Sequence, residues 1–435
     1  MSPYAERRAR LCAQMQPGAV AVLGTAPEVA RNSDTHYPYR HDSHFYYLTG
    51  FTEPEAVVAI IAGPQPKSVL FCRAKNPDME IWEGFRYGPE AARSAFGFDE
   101  AYPIEQLDEQ MARLLENSPA VLHPLGHGSE LENRIKQWLR TVRSKARSGV
   151  TAPTSAHDLL VLVDEMRLFK DSAEQVLMQR AADISSGAHA RAMRATKPGM
   201  MEYEIEAELL YEFRRHGAQF PAYSPIVAAG ANSCVLHYTS NDRRIGDNDL
   251  VLIDAGCEFG GYASDITRTY PASGRFTPQQ KTLYEIVLAA QQAAIEAVQP
   301  GKPFLGVHEA ALRVLVQGML DTKLISKFST VDDAIAERAH TPFYMHGTSH
   351  WLGMDVHDVG AYRDLSVQDR PSRPLQAGMA LTVEPGIYVR PGEGVPEEFW
   401  NIGIRIEDDV VVTHSGSTVL STAPKTVADI EALMK

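Results

Sequence analysis

Two apolar runs in the second half of this chain each end on an acid: Leu250-Val251-Leu252-Ile253-Asp254 and Ala380-Leu381-Thr382-Val383-Glu384. Each is followed by a second strand-like segment with its own acid, Asp265 before Ile266-Thr267-Arg268-Thr269-Tyr270 and Glu407 after Ile402-Gly403-Ile404-Arg405-Ile406. Side chains alternate faces along a strand. Asp265, Thr267 and Thr269 therefore share a polar face opposite Ile266 and Tyr270. Arg405 and Glu407 likewise share one opposite Ile402, Ile404 and Ile406. Burying an ionised carboxylate without a partner costs several kcal/mol, so four such acids need positive charge between them. Arg268 and Arg405 are the main basic residues nearby and are too few. Metal cations are the simplest answer.

The elements around these acids repeat. Helical periodicity through Val176, Leu177, Ala181, Ile184 and Ala188 stops at Lys197-Pro198-Gly199, and a second helix carries Ile205, Leu209 and Phe213 as far as Gly217. A capping box of Ser172 and Gln175 is expected to start the first of these helices. Thr277-Pro278-Gln279-Gln280 opens a second set with an N-cap, a proline in the first turn and a capping glutamine. That helix runs through Ile286, Val287, Ala290, Ala294 and Val298 to Pro300-Gly301, and another follows with Val307, Ala311, Val314 and Leu315. A duplicated α+β unit with its carboxylate-bearing strands face to face is the natural reading. The first half reads as mixed α/β, strands such as Ala19–Gly24 and Ala56–Ala62 alternating with helices such as Ile104–Glu116 and Glu130–Arg147. With 435 residues, two or three domains are expected. The boundary is placed before the capped helix, giving domains 1–168 and 169–435.

A further ligand type stands between the two acid pairs. His346, His350 and His357 fall within twelve residues, interleaved with Gly347 and Gly353 and followed by Asp358. A lone histidine is more often structural, whereas this spacing reads as a site. Four carboxylates and one histidine make an oxygen-rich set suited to a pair of Mn²⁺, Co²⁺, Fe²⁺ or Zn²⁺ ions. Two such ions can share a hydroxide made nucleophilic at neutral pH and also polarise a carbonyl, so metal-assisted hydrolysis is the expected reaction class. His308-Glu309 begins like a metalloprotease helix, but Leu312 stands where the second histidine belongs. Gly347-Thr348-Ser349-His350-Trp351 lacks the closing glycine of a nucleophile elbow. Neither a Walker loop nor a dinucleotide fingerprint is present. The formal charge of −13 argues against nucleic-acid binding, and no apolar run is long enough for a membrane span. Cys12, Cys72, Cys234 and Cys257 are widely spaced, which fits reduced thiols in a cytoplasm, as does a charged N-terminus without a secretory signal's apolar stretch.

The segments "LHYTSND", "DLVLIDAGCEFGGYASDITRTYP", "HGTSHWLGMDVHDVG", "LTVEPGIYV" and "GIRIEDDVVVT" resemble the pita-bread metallopeptidases, which include methionine aminopeptidase, prolidase and aminopeptidase P. The likeness is strongest to the aminopeptidase P family and covers nearly the whole chain. "RNSDTHYPYRHDSHFYYLTGFTEPEAV" is similar to that family's N-terminal domain. The resemblance implies an α/β N-terminal domain followed by a duplicated α+β pita-bread catalytic domain. It implies two divalent metals, Mn²⁺ foremost, bridged by Asp265 and Glu407, with Asp254 on one metal and His350 and Glu384 on the other. A bridging hydroxide would attack the bond between an N-terminal residue and a following proline. Glu384 would carry the proton toward the proline nitrogen. His237, His346 and His357 would contact substrate and stabilise the intermediate, and Arg405 would orient ligands or substrate. Tyr223 and Tyr388 would lie near the proline pocket, and Trp82 would reach a neighbouring subunit of a dimer or tetramer whose N-terminal domains narrow access to the site. The bond before proline is a tertiary amide of restricted geometry, so a pocket shaped for the ring turns a handicap into selectivity. Two alternatives stay open: a prolidase confined to Xaa-Pro dipeptides, and a non-catalytic binding protein that keeps the fold.

Overall fold

Runs of buried Val, Ile, Leu and Phe form the spine of a six-stranded sheet in the N-terminal part of the computed structural model, which describes residues 2–435. Across the sheet the strands run Glu100–Pro103, Lys67–Cys72, Val57–Ile61, Val20–Gly24, Ala120–His123 and Ser155–Asp158. The neighbours among 20–24, 57–61 and 67–72 are antiparallel, and the outer pairings are parallel. Helices Leu107–Leu114 and Glu130–Ser144 bury Met111, Ile135, Trp138 and Val142 against Val20, Val22, Ala59 and Phe71. The helix expected from Ile104 begins as a 3₁₀ turn over Ile104–Gln106.

The chain divides between Arg167 and Leu168, and the second unit is built twice on one plan. Helices Ser172–Ala195 and Glu202–Arg215 precede an antiparallel sheet of Ile226–Ala229, Leu250–Asp254 and Thr267–Pro271. Helices Pro278–Ala297 and Leu305–Asp321 precede a second sheet of Ala380–Val383, Asp408–Val412 and Ser417–Val419. The hairpin of Gly386–Val389 with Ile402–Arg405 stands between its first two strands in sequence. One apolar core joins both copies, with Leu209, Phe213, Val251 and Ile253 from the first and Leu283, Leu315, Leu381 and Ile404 from the second.

Two local expectations are corrected. The 172–195 helix is capped one residue earlier than the sequence suggests: Asp171 accepts from Glu174 N–H, and the Glu174 side chain accepts from Asp171 N–H. Aspartate is a strong N-cap and glutamate at the third helical position closes the box, so this pair takes the place of Ser172 and Gln175. The strand expected through Glu407 is broken there. Ile402–Arg405 pairs with 386–389 while Asp408–Val412 pairs with 380–383, so Glu407 stands at the switch between two sheets.

Candidate active site

Each acid sits where a strand ends or changes partner. Asp254 closes the 250–254 strand opposite Thr267, Asp265 precedes the 267–271 strand, and Glu384 follows 380–383. These acids, His350 and Glu407 line one cavity of about 330 Å³ together with Leu236, His237, His346, Gly347, Ser349, His357 and Arg405. Asp265, His350 and Glu407 each bring a ligand atom within 4.8 Å of the others. His350 Nε2 stands 3.4 Å from Asp265 Oδ2 and 3.6 Å from Glu384 Oε1. Its Nδ1 lies 3.0 Å from Trp351 O, and a carbonyl only accepts, so Nδ1 carries hydrogen and Nε2 is the nitrogen turned to the acids.

Neighbouring groups hold this set in place. Thr267 Oγ1 donates to Glu407 Oε2 at 2.6 Å, and Glu407 N–H donates to Thr267 O. Asp265 N–H donates to the buried Asp409 carboxylate at 3.0 and 3.3 Å. Arg405 reaches Asp254 Oδ2 at 2.6 Å, Tyr388 Oη at 3.0 Å and Thr267 Oγ1 at 3.2 Å. Tyr388 Oη in turn stands 2.8 Å from His346 Nε2. His346 Nδ1 donates to Gly347 O at 2.7 Å, so its Nε2 accepts from Tyr388.

The charges in this cavity are out of balance without a cation. Burial pushes Glu384 up to about 7 and Glu407 well above the carboxylate range, the latter with Asp265, Glu384 and Asp254 adding repulsion. Burial also raises Asp254, which Arg405 partly offsets. Burial opposes charge on His350, yet Asp265 and Glu384 outweigh it and lift the imidazole to about 9, while Asp265 falls. Tyr223 Oη stands 2.6 Å from Asp254 Oδ1 and 2.5 Å from Asp265 Oδ1. A phenol has one proton, so one of those contacts sets oxygen against oxygen. Arg405 is the one Arg or Lys lining the cavity among the described residues. Four carboxylates and an imidazole nitrogen, lining one cavity and short of positive charge, fit a divalent-cation site, with Asp265, His350 and Glu407 the set whose ligand atoms converge.

The structure gathers Asp254, Asp265, His350, Glu384, Glu407, His237, His346, His357 and Arg405 at this cavity. His357 packs edge-on against His350, ring centroids 4.2 Å apart. Tyr223 and Tyr388 are not among the lining residues. The hydroxyl of Tyr223 is engaged with two carboxylates, and Tyr388 is fully buried behind Arg405 and His346. Trp82 belongs to the first unit, 85% exposed on helix Pro77–Glu83. Arg268, which sequence offered as a cation for the acids, is instead buried against Asp408 at 2.7 Å and donates to Thr267 O and Glu407 O. Thr267, Asp409 and Thr348 were missed as site supports. A run of three acids, Glu407-Asp408-Asp409, was the visible signal for the second.

A carboxylate-rich cation site at the centre of a duplicated α+β frame is the hallmark of the pita-bread metallopeptidases. The chain belongs to metallopeptidase family M24, whose model matches residues 176–414, and residues 4–123 match the aminopeptidase P N-terminal domain. It is 45% identical to a Xaa-Pro aminopeptidase of Escherichia coli over 99% of this chain and 97% of that one. The solved Pseudomonas aeruginosa aminopeptidase PepP superposes with a TM-score of 0.96 at 49% identity, covering 99% of this chain and 97% of that chain. A zinc-substituted E. coli aminopeptidase P in complex with product gives 0.95 at 45%, over 100% of this chain and 98% of that one.

Proposed function

We propose that this chain removes the N-terminal residue from peptides in which proline follows. The observation that carries the reading is the convergence of Asp265, His350 and Glu407 ligand atoms within 4.8 Å, flanked by Asp254 and Glu384, in a chain alignable end to end with Xaa-Pro aminopeptidases. Asp254, Asp265, His350, Glu384 and Glu407 would hold two divalent ions, Mn²⁺ foremost. When bound, such ions polarise the scissile carbonyl and make water nucleophilic at neutral pH. Glu384 lines the cavity with an oxygen 3.6 Å from His350 Nε2, a place that suits a group taking a proton from the nucleophile and returning it to the proline nitrogen. His237 and His357 line the cavity and can donate hydrogen bonds as charge develops on the carbonyl oxygen. His346 holds Tyr388 in the geometry described, and Arg405 fixes Asp254.

A prolidase is not favoured, because the end-to-end relatives are Xaa-Pro aminopeptidases. Free, buried Cys12, Cys72, Cys234 and Cys257 support a reducing, cytoplasmic setting. No helix is long and apolar enough to cross a membrane among the described residues. Ile81, Trp82 and Phe85, exposed at 80%, 85% and 65%, support a homo-oligomer, dimer or tetramer, in which this segment meets a second copy.

The test is hydrolysis of an Xaa-Pro-Xaa tripeptide, an Xaa-Pro dipeptide and a proline-free tripeptide, each with Mn²⁺ and with chelator. Metal-dependent release of the first residue from the Xaa-Pro-Xaa peptide, far faster than from the others, is expected. Cleavage confined to the dipeptide would restore the prolidase reading, and no metal-dependent cleavage would restore the binding-protein one.

A further inference from the structure

His308 begins a metalloprotease-like motif that has no second histidine, and the structure gives it other work. On helix Leu305–Asp321 its Nδ1 lies 2.8 Å from Thr348 Oγ1. The same hydroxyl lies 2.6 Å from Tyr344 Oη. Thr348 and Tyr344 are 1% and 2% exposed. A threonine hydroxyl has one hydrogen and two lone pairs, so Thr348 donates to one neighbour and accepts from the other.

What Thr348 holds connects it to the chemistry. The Tyr344 ring is the edge-on platform of His346, centroids 4.8 Å apart and planes at 73°. His346 Nε2 accepts from Tyr388, which Arg405 also contacts. On its main chain Thr348 O accepts Glu384 N–H at 2.8 Å, and His350 O accepts Thr382 N–H at 3.0 Å. One side chain thus braces the histidine loop from behind while its backbone is joined to the strand end that presents Glu384.

We infer that Thr348, clamped between His308 and Tyr344, is a positioning residue that sets His346 and Glu384 for the reaction. This inference rests on the aminopeptidase reading above. None of the three side chains is placed as a metal ligand; they act through the groups they hold.

Thr348→Val keeps the shape and removes both hydrogen bonds, whereas Thr348→Ser keeps the hydroxyl. Steady-state kinetics on the Xaa-Pro-Xaa tripeptide with Mn²⁺ should show kcat about tenfold lower for T348V with KM within about twofold. A tenfold effect is the scale expected when two positioning hydrogen bonds of modest net worth are lost together. T348S should return to within about twofold of the parent, H308A should fall with T348V, and Mn²⁺ affinity should be unchanged. Activity of T348V within twofold of the parent overturns the inference. So does a loss that excess Mn²⁺ restores, which marks weakened metal binding, or one that T348S shares fully, which marks a general structural effect. Imidazole ¹⁵N spectra provide a readout independent of turnover. The His346 resonances should move in T348V and recover in T348S, and unmoved resonances refute the clamp. If the parent protein cleaves no proline peptide, the aminopeptidase reading fails, and the spectra still decide the clamp.

Discussion

At the scale of single residues, a guanidinium's fixed fork and a shortage of positive charge explain the site. Arg405 spends its donors on Asp254, Tyr388 and Thr267 at once, which a single ammonium cannot reproduce. Arg405→Lys is therefore expected to lower kcat/KM on an Xaa-Pro-Xaa peptide by at least about tenfold despite keeping the charge, measured with saturating Mn²⁺. A smaller loss would show that charge alone suffices. A second residue-scale consequence lies in the first unit. His41 is stacked on Tyr46 with centroids 4.0 Å apart, and burial depresses it to about 4 from an ordinary 6.5. The unfolded chain therefore takes up this proton first as pH falls, so stability is full above about 6.5 and is lost on the way down to about 4. At about 1.4 kcal/mol for each pH unit of that interval, the loss is on the order of 3 kcal/mol. Urea midpoints of His41→Asn and parent, compared at pH 7 and pH 4.5, check this: the mutant should show the shallower pH dependence.

At the scale of elements, caps and close approaches decide where the acids end up. Because Asp171 rather than Ser172 caps the 172–195 helix, Asp171→Ala should cost about 1 kcal/mol, and Ser172→Ala a few tenths at most. Thermal unfolding of the two variants separates them. Gly256 follows Asp254-Ala255 where the chain turns toward the Cys257–Phe259 strand, and a Cβ there would sit 1.7 Å from Ser264 O. That obstacle is backbone, one residue from Asp265, so it cannot swing aside. Gly256→Ala is expected to destabilise by more than about 3 kcal/mol and to reduce soluble yield, read by expression and circular dichroism. The switch of sheet at Glu407 works at the same scale. Because 402–405 and 408–412 pair with different strands, Glu407 is free of either ladder and turns to Thr267.

At the scale of the whole molecule, two copies of one helix–strand plan pool their acids in one cavity and share one apolar core. Cations that bind this cavity stabilise the catalytic unit by mass action, about 2.7 kcal/mol at a hundredfold excess over the dissociation constant. Chelation should accordingly lower the unfolding temperature of the catalytic unit by several degrees. Mn²⁺ should restore it, and calorimetry with and without chelator reads both. A chelator-insensitive scan would count against metal in the cavity.

Much of this is legible in the chain itself. The capped helix at Thr277 and Gln280, the duplicated pattern and the apolar runs that end on Asp254 and Glu384 are local signals, because capping, periodicity and alternation act over a few residues. The frustration of four acids could be read there too, since an ionised carboxylate needs a compensating partner in any fold that buries it. Other features depended on residues far apart in sequence. Arg268 and Arg405 are equally plausible cations in the chain, yet only Arg405 faces the cavity, while Arg268 is taken up by Asp408. The hydroxyls of Tyr223 and Tyr388 could not be seen to face carboxylates and a histidine, nor His308 to brace Thr348 forty residues on. Sequence by itself determined which residues must escape water and which must be paired. Tertiary structure decided the partners, because hydrogen bonds and ion pairs act over a few ångströms and only folding sets those distances.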